Sequence, residues 1–367
     1  MKENNKRYAL ILAGGKGSRL WPISTTNKPK QYLNLYSNNI MINETIKRIE
    51  SIFEYDNIFV ITNIDQKELA ERYIDNRIPR KNIIFEPMSK NTAMCIFYAS
   101  IRILEQRGNG TITILSSDHY IDETEKLLNN IEEGIELANK EENLVTIGIK
   151  PTYPATGFGY IKYNYDDDLK CNIVEEFKEK PIYEKAREYI ESGKYYWNSG
   201  MFIWKITSIL KNYKEFLPEI YKYKEQIANS IRNEKDVLQN IYKDVESISV
   251  DKGILEKSNK IKMVKGEFNW LDIGSINDFF KIQEKDFNNN VKKGNLIAED
   301  IENCSIYNDD NSTVIAVVGV KDLNIINSNN VILIANKDKM GELPNLIEKI
   351  KCDKKLKKYL EGESYEV

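Results

Sequence analysis

Short apolar runs alternate with amphipathic helical patterns from Tyr8 to Ile149. The alternation predicts right-handed crossovers and an α/β fold with a Rossmann-like, mostly parallel sheet. In such a sheet, ligands bind beyond the carboxyl ends of the strands. Strands are predicted at Tyr8–Leu12, Asn57–Thr62, Asn82–Phe85, Thr111–Ser116 and Leu144–Ile149. Helices are predicted at Ile42–Ile52, Gln66–Tyr73, Thr92–Gln106 and Thr124–Ala138.

The middle of the chain has a more mixed pattern. Further strands are predicted at Gly159–Tyr163, Val174–Phe177, Met201–Trp204 and Ile261–Val264. A helix is predicted at Glu184–Ser192, and a long polar helical stretch, with room for a break, at Pro218–Tyr242.

Composition shifts after Phe280, where the asparagine-rich stretch Lys285–Lys293 is typical of a linker. Short β-type runs separated by turn residues then predict a small β domain, for which a β-helix is one candidate architecture. These runs are Leu296–Ile297, Ser305–Tyr307, Thr313–Val318, Leu323–Asn327 and Val331–Ala335. A lysine-rich helix at Glu342–Leu360, with a solvated charged face, follows. We therefore predict a first domain over 1–284 and a C-terminal β domain with a terminal helix over 285–367.

Charge and hydropathy exclude several classes of protein. Lysine and arginine number 53 against 56 acidic residues, so the net charge is −3. A chain this balanced has no global attraction to nucleic acid or to an anionic membrane. No apolar stretch reaches membrane-spanning length, and the polar start lacks a signal-peptide core, so we expect a cytoplasmic protein.

A glycine-rich turn follows the first predicted strand, with Gly14, Gly15 and Gly17. Glycines let backbone N–H groups approach a phosphate or a base closely, although a plain turn explains them equally well. A dinucleotide fingerprint would need glycine at Leu20, which disfavours a Rossmann dehydrogenase. A P-loop would need serine or threonine after Lys16, where Gly17 stands.

Cationic side chains come directly after this turn, at Arg19, Lys28 and Lys30. An arginine can fork onto phosphate oxygens, whereas a lysine acts as a point charge. The pattern therefore favours a bound polyanion.

Two aspartates are candidate metal ligands. Asp118 follows the strand at Thr111–Ser116, and Asp272 lies in an aromatic-flanked turn. Each alone is readily explained as a cap or a turn residue. Together they supply the one or two carboxylates that Mg²⁺ usually takes from a protein.

A set of short motifs occurs in a fixed order along the whole chain. They are Gly14–Leu20, Leu20–Pro22, Lys28–Gln31, Glu86–Pro87 with Asn91–Ala93, Ser117–His119, Thr156–Ile161, Phe177–Pro181, Trp197–Phe202 and Trp270–Ser275. In this order they resemble the signatures of sugar nucleotidyltransferases, and within them the mannose-1-phosphate guanylyltransferase branch. The resemblance is to a short form of that branch, without the isomerase domain of bifunctional members.

The resemblance implies that GTP and α-D-mannose 1-phosphate react with Mg²⁺ to give GDP-mannose and pyrophosphate, in a homodimeric enzyme. It assigns Arg19 and Lys28 to the triphosphate and Lys180 to the sugar phosphate. It assigns the metal ion to Asp118 and Asp272. The nucleophile is an already ionised phosphate oxygen, so no general base is needed and catalysis depends on positioning and charge neutralisation.

The resemblance also implies the remaining contacts. Nucleotide contacts are expected from Ala13, Gly14, Gly15, Gly17, Ser18, Glu86, Asn91, Thr92 and Ser117. Sugar contacts are expected from Gly157, Tyr160, Glu179 and Asn198. Without the resemblance, Thr92 is equally well explained as a helix cap. Glu179 and Lys180 are then explained as an ordinary ion pair.

This chain departs from the usual pattern at a few positions. Serine stands at 18 in place of threonine, Thr25-Thr26 replaces Ser-Arg, Lys90 replaces arginine and Met94 replaces proline. These departures bear on specificity more than on reaction type. Two alternatives therefore stay open: the same reaction with another sugar 1-phosphate or nucleotide, and a catalytically inactive nucleotide-sugar sensor.

Overall fold

The computed structural model describes residues 6–15, 17–167, 171–233 and 237–362. The strands are β1 (Arg7–Leu12), β2 (Ile58–Asn63), β3 (Ile83–Glu86), β4 (Thr111–Ser116), β5 (His119–Ile121), β6 (Leu144–Ile149), β7 (Tyr160–Asp166), β8 (Cys171–Lys178), β9 (Tyr195–Lys205), β10 (Ile261–Gly266), β11 (Trp270–Asp272), β12 (Val291–Lys293), β13 (Leu296–Glu302), β14 (Ser305–Asn308), β15 (Ile315–Lys321), β16 (Leu323–Ser328) and β17 (Val331–Asn336).

The helices are α1 (Met41–Ile49), α2 (Lys67–Tyr73), α3 (Asn91–Arg107), α4 (Thr124–Lys140), α5 (Tyr183–Ser192), α6 (Ile206–Phe216), α7 (Pro218–Tyr221), α8 (Lys224–Asn233), α9 (Leu238–Asp244), α10 (Ile276–Lys281), α11 (Leu343–Cys352) and α12 (Lys358–Glu361). A π-helical turn occupies Asp251–Leu255. The long polar stretch expected at Pro218–Tyr242 is therefore broken, into α7, α8 and α9.

The first of two compact units comprises Met1–Gly14, Thr45–Ser117 and Ile121–Trp270. It contains a nine-stranded sheet in the order β3-β2-β1-β4-β9-β6-β10-β8-β7. Strands β3, β2, β1 and β4 run parallel, and so do β6 and β10. The predicted α/β fold with a parallel core is confirmed.

Strand β9 runs antiparallel between β4 and β6 and interrupts the parallel order. The sequence predicts only its end, Met201–Trp204, because the polar run Asn198-Ser199-Gly200 breaks the apolar pattern. The register between β6 and β9 shifts after Thr146, and Asn198 then pairs with Gly148. The antiparallel strand thus carries the polar motif into the middle of the sheet.

The core of this unit is built from residues that the apolar pattern identifies. Leu10 on β1, Ile112 on β4 and Phe97 on α3 are fully buried in one cluster. Burial of a large apolar side chain stabilises a fold by about 1.5–3 kcal/mol, so this cluster is the main source of rigidity for the strand ends. Helix α6, absent from the sequence prediction, packs Ile209 and Tyr213 into the same cluster.

The second unit comprises Gly15–Glu44, Asp118–Tyr120 and Leu271–Val367. Its C-terminal strands fall alternately into two sheets, β12-β14-β16-β17 and β13-β15. Strands β12, β14 and β16 are parallel, as are β13 and β15, and only β17 is antiparallel to its neighbour. Alternate strands stacking in parallel register form the coils of a β-helix.

Side chains at the corners connect successive coils of this β-helix. Asn289 donates to Asn303, and Asn303 donates to Asp322 on the next coil. All three residues have positive φ, which asparagine and aspartate tolerate better than most residues. The expected linker Lys285–Lys293 therefore ends in ordered structure, since Val291 begins β12 and is buried.

The terminal helical region is broken where a single helix was expected. Helix α11 ends at Cys352 and α12 begins at Lys358. Leu343, Ile347 and Ile350 of α11 pack with the side chains of Leu20 and Trp21. In the described ranges, every helix is too short or too polar to span a bilayer.

Candidate active site

The glycine turn after β1 leaves its backbone open. A Cβ atom placed on Gly14 or on Gly15 would meet no atom within 4 Å. The preceding Ala13 differs, because its N–H donates to Ile61 O at 2.8 Å and its carbonyl accepts from Thr62 at 2.8 Å. The polar groups of Ala13 are thus already used within the sheet, and the two glycines are the better candidates for ligand contact.

Gly17 has a different constraint, which only glycine satisfies. Its φ is +61°, and a Cβ atom would lie 2.7 Å from Lys30 Cβ and 2.8 Å from Ser24 Oγ. Residues Ser18–Leu20 then form a 3₁₀ turn, closed by Leu20 N–H donating to Gly17 O at 2.9 Å. The predicted nucleotide contact through the Ser18 side chain lies outside the described part of the chain.

Arg19 points out of this turn, and its side chain is exposed. A Cβ atom placed on Gly274 would lie 3.6 Å from Arg19 Nη2, so the guanidinium sits beside the loop that follows Asp272. The cation and the predicted metal ligand therefore belong to one neighbourhood of the second unit.

Lys30 is the centre of an ionic cluster in this unit. Its side chain is 4% exposed, and its Nζ lies 2.9 Å from Asp118 Oδ2 and 3.1 Å from Asp272 Oδ1. The two aspartate side chains remain 30% and 34% exposed. One buried ammonium group thus holds together the two carboxylates that the sequence singled out as metal ligands.

The charges in this cluster shift each other's ionisation. Burial lowers the pKa of Lys30, but the charges of Asp118 and Asp272 outweigh it, and the net pKa is raised. Burial raises the pKa of Asp118, but Lys30 and then His119 outweigh it, and the net pKa is lowered. At neutral pH, Lys30 and Asp118 are therefore ionised.

This donor set is consistent with a magnesium site. Two aspartates from different parts of the chain converge on one cation, and Mg²⁺ takes one or two protein carboxylates alongside phosphate and water oxygens. Among the described residues, no cluster of three or more His, Cys, Asp or Glu side chains could form a complete protein cage for a metal. A metal held here would complete its coordination with oxygens from bound phosphate or water.

Lys28 contrasts with Lys30 although only Pro29 separates them. Its side chain is half-buried, and no residue in the described ranges forms an ion pair with it. Its backbone is fixed, since Lys28 N–H donates to Thr25 Oγ1 at 3.1 Å and Thr25 N–H donates to Lys28 O at 3.1 Å. Lys28 is thus a positioned cation that can accept an anionic partner.

A second group of predicted residues meets in the first unit, around Glu179. Lys180 Nζ lies 2.7 Å from Glu179 Oε1, with the glutamate side chain 12% exposed and the lysine 61% exposed. A Cβ atom placed on Gly159 would lie 2.9 Å from Glu179 Oε2, so the glycine makes room for this carboxylate. Lys180 has a φ of +44°, in the left-handed region that few non-glycine residues adopt.

Asn198 connects this group to an acid that the sequence did not assign to the site. Its Nδ2 donates to Asp251 Oδ1 at 2.9 Å, while its Oδ1 accepts from Thr146 Oγ1 at 3.2 Å and from Gly200 N–H at 3.2 Å. The amide of Asn198 is therefore fixed in orientation. Asp251 lies in none of the motifs from which the site residues are predicted.

Burial and then the charge of Glu179 raise the pKa of Asp251 to about 6. A buried carboxylate whose charge is opposed by a neighbouring carboxylate favours a cation or hydroxyl groups beside it. The group can therefore accept hydrogen bonds from a polyol and place a cation, Lys180, beside it.

The structure gives Tyr160 an internal role. Its side chain is fully buried, and its hydroxyl donates to Ala155 O at 3.0 Å. The Tyr160 side chain therefore belongs to the core, and a contact of this residue with a sugar stays a prediction. Gly157 is exposed, with open space where a Cβ atom would stand.

Glu86 also faces inward. Its side chain is buried, and Tyr242 donates to its Oε1 at 2.9 Å. Burial raises the pKa of Glu86 to about 7, although hydrogen bonds from Tyr242 and Cys95 oppose the shift. The contact of Glu86 with a nucleotide stays a prediction. It would require the side chain to lose its hydrogen bond with Tyr242.

The start of α3 is tied to the segment before the π-helical turn. Thr92 Oγ1 accepts from Val250 N–H at 2.9 Å, and Asn91 Oδ1 accepts from Thr92 N–H at 2.8 Å. Asn91 is exposed, with a φ of +64°. Ser117 is buried, with its N–H donating to Leu12 O at 3.0 Å. Of these predicted nucleotide contacts, Asn91 offers the most accessible side chain.

Comparisons with known proteins identify relatives over most of this chain. The nucleotidyl transferase family model matches residues 8–289, and the mannose-phosphate isomerase/GMP-like β-helix model matches 294–350. A mannose-1-phosphate guanylyltransferase from Salmonella montevideo is 33% identical, over 94% of this chain and 74% of its own length. One from Escherichia coli is 30% identical, over 92% of this chain and 74% of its own.

A solved structure from Thermus thermophilus, described as a mannose-1-phosphate geranyltransferase, superposes with a TM-score of 0.85 at 28% identity. It covers 94% of this chain and 99% of its own. Sequence and fold thus match over nearly the full length of the protein. The chain belongs to the nucleotidyl transferase family.

Proposed function

We propose that this protein forms GDP-mannose and pyrophosphate from GTP and α-D-mannose 1-phosphate. The observation that carries the proposal is the convergence of Asp118 and Asp272 on the single ammonium of Lys30. Such a pair of carboxylates would hold a divalent cation, which would neutralise phosphate charge. The names of the relatives from Salmonella montevideo and Escherichia coli support the choice of sugar and base.

The chemistry needs no proton transfer. An ionised phosphate oxygen of the sugar phosphate attacks the α-phosphorus, the new P–O bond forms, and the α–β bridging bond breaks to release pyrophosphate. Arg19 and Lys28 would neutralise the triphosphate, and Lys180 would hold the sugar phosphate. Mg²⁺, bound by Asp118 and Asp272, would supply further charge neutralisation at the phosphates.

Sugar recognition would rest on paired donors and acceptors. Glu179 accepts from hydroxyl groups, and the fixed amide of Asn198 gives a second polar contact. The backbone at Gly157 would approach the sugar closely. Nucleotide contacts would come from the open turn at Gly14, Gly15 and Gly17.

The remaining nucleotide contacts of the proposal are Ala13, Ser18, Glu86, Asn91, Thr92 and Ser117. We also propose that the enzyme is a cytoplasmic homodimer, following its resemblance to this branch. Light scattering coupled to size-exclusion chromatography tests the dimer directly, since a monomeric mass near the 42.7 kDa of the chain would contradict it.

A turnover panel of nucleoside triphosphates against sugar 1-phosphates, read by pyrophosphate release, tests the reaction. We expect the highest kcat/KM for GTP with mannose 1-phosphate, and no turnover after chelation of divalent cations. Faster turnover with glucose 1-phosphate and dTTP or ATP would keep the reaction class and replace the substrates. Pyrophosphate release from no pair would favour the catalytically inactive nucleotide-sugar sensor.

A further inference from the structure

The turn Thr25–Lys28 is closed only at its base. The hydrogen bonds between Thr25 and Lys28 described above use the two ends of the turn. The N–H groups of the two tip residues, Thr26 and Asn27, find no partner inside the turn. A backbone N–H that lacks a partner costs free energy when it is shielded from water, so the partners of the tip matter.

The C-terminal segment Tyr359–Gly362 supplies these partners. Thr26 N–H donates to Leu360 O at 3.0 Å, and Asn27 N–H donates to Glu361 O at 2.9 Å. Two side chains extend the pairing, with Trp21 Nε1 donating to Tyr359 O at 2.9 Å and Asn27 Nδ2 donating to Gly362 O at 3.4 Å. The carbonyls of Leu360, Glu361 and Gly362 thus accept hydrogen bonds from the turn.

Close packing accompanies these hydrogen bonds. Gly362 has a φ of +77°, and a Cβ atom there would lie 2.4 Å from Thr25 Oγ1 and 2.8 Å from Thr25 Cβ. A side chain at 362 would therefore push the segment off the turn. Leu360 packs against the apolar cluster that contains Leu20 and Trp21, which fixes the segment to the same unit.

Neither family model accounts for this segment, because they match residues 8–289 and 294–350. We propose that Tyr359–Gly362 is a clamp that positions Lys28 for the nucleotide triphosphate. The proposal rests on the proposed role of Lys28. Without the clamp, the turn gains conformational freedom, and nucleotide binding must restore its order. Tyr359–Gly362 would act through Lys28 and touch no substrate.

Two variants remove the clamp by different means. Gly362→Val wedges the segment away, and a chain truncated after Lys357 lacks the segment altogether. Each has a matched control: Gly341→Val, where a Cβ atom meets nothing within 4 Å, and truncation after Gly362, which keeps every contact named above. Circular dichroism and thermal unfolding check that all four proteins are folded.

We expect both clamp variants to lose at least about tenfold in kcat/KM for GTP, the effect of modest mispositioning. The KM for mannose 1-phosphate and both controls should change little. In a Lys28→Met background, clamp removal should add almost no further loss, since residues that act as one unit are non-additive. A synthetic peptide spanning 356–367 should partly restore the truncated enzyme.

Full activity in a folded clamp variant would overturn the clamp and leave the proposed function standing. The clamp would also be overturned if its removal lowered kcat/KM by the same factor in the Lys28→Met background as in the unmodified enzyme. Hydrogen exchange at Thr26 and Asn27 decides the matter without turnover: these amides should be protected in the full chain and exposed after truncation. Unprotected amides in the full chain would also overturn the clamp. Absence of turnover in the unmodified enzyme would instead contradict the proposed function.

Discussion

Two lysines with the same chemistry have different surroundings in this candidate site. Lys30 is buried and shared between two carboxylates, whereas the half-buried Lys28 forms no ion pair within the described ranges. A buried cation with two acidic partners organises a site, but it has little charge left for a ligand. An available cation on a fixed turn is suited to neutralise a phosphate. This difference in ion pairing between the two lysines predicts the outcome of replacing Lys28.

Replacing Lys28 by methionine keeps the side-chain length and removes the charge. We expect kcat to fall by a factor of about 10²–10³, as when one preorganised donor to developing charge is lost. The fold should be unchanged, because the side chain is only half-buried. Steady-state kinetics with GTP measures the loss, and the exposed Lys47→Met is the charge-matched control. Near-normal kcat in the folded Lys28→Met enzyme would show that Lys28 has no role in the reaction.

Two three-residue strands, β5 and β11, place Asp118 and Asp272 close to the same lysine. Asp118 directly precedes β5, and Asp272 ends β11, and these two strands pair in a two-stranded ribbon. Neither strand was predicted, since three residues are too few to show an alternating pattern. Both aspartates were candidates from sequence alone, but only the pairing of these elements accounts for their distances to Lys30.

If both aspartates bind the same metal ion, their losses should not multiply. We expect Asp118→Asn and Asp272→Asn each to remove most of the turnover, and the double variant to add little. Electron paramagnetic resonance of Mn²⁺ should show weaker binding in each single variant, independently of activity. Asp65→Asn, an exposed aspartate, is the control. Multiplicative losses, or Mn²⁺ bound as tightly as in the unmodified enzyme, would contradict a shared metal site.

At the scale of the whole molecule, the stability of the fold should depend on a buried acid. Glu86 is buried with a pKa of about 7, above the 4.5 of a solvated glutamate. Between these values the folded chain binds more protons than the unfolded chain. The unfolding free energy therefore falls as pH rises from about 4.5 to about 7.

Glu86→Gln should remove the contribution of Glu86 to that dependence and leave the contribution of Asp251. Relative to the unmodified protein, we expect the variant to gain up to about 3 kcal/mol of stability on going from pH 5 to pH 8. Denaturant unfolding at both pH values measures the difference, with exposed Glu215→Gln as the control. An equal stability difference at the two pH values would show that Glu86 ionises as readily in the folded chain as in the unfolded one.

Much of this architecture can be read from the sequence. Strands β4 and β6 have the predicted bounds, because uninterrupted apolar runs between turn residues leave little ambiguity. The ionic partner of Asp118 could not be predicted, since Lys30 belongs to the same short motif as Lys28 and differs only in burial. The burial of the Tyr160 side chain could not be predicted either, because a motif does not show which face of a strand points to the core.

The stacked coils of the β-helix also have a consequence for how this protein can change over generations. Its corner residues Asn289, Asn303 and Asp322 repeat the same hydrogen bond from one coil to the next. The coils also pack on another part of the chain, since Val291, Tyr307, Ile326 and Leu333 belong to one apolar cluster with Leu20 and Trp21. Duplication or deletion of one coil would shift every later strand and helix α11 relative to these partners. We therefore expect an alignment of related sequences to show a constant number of coils.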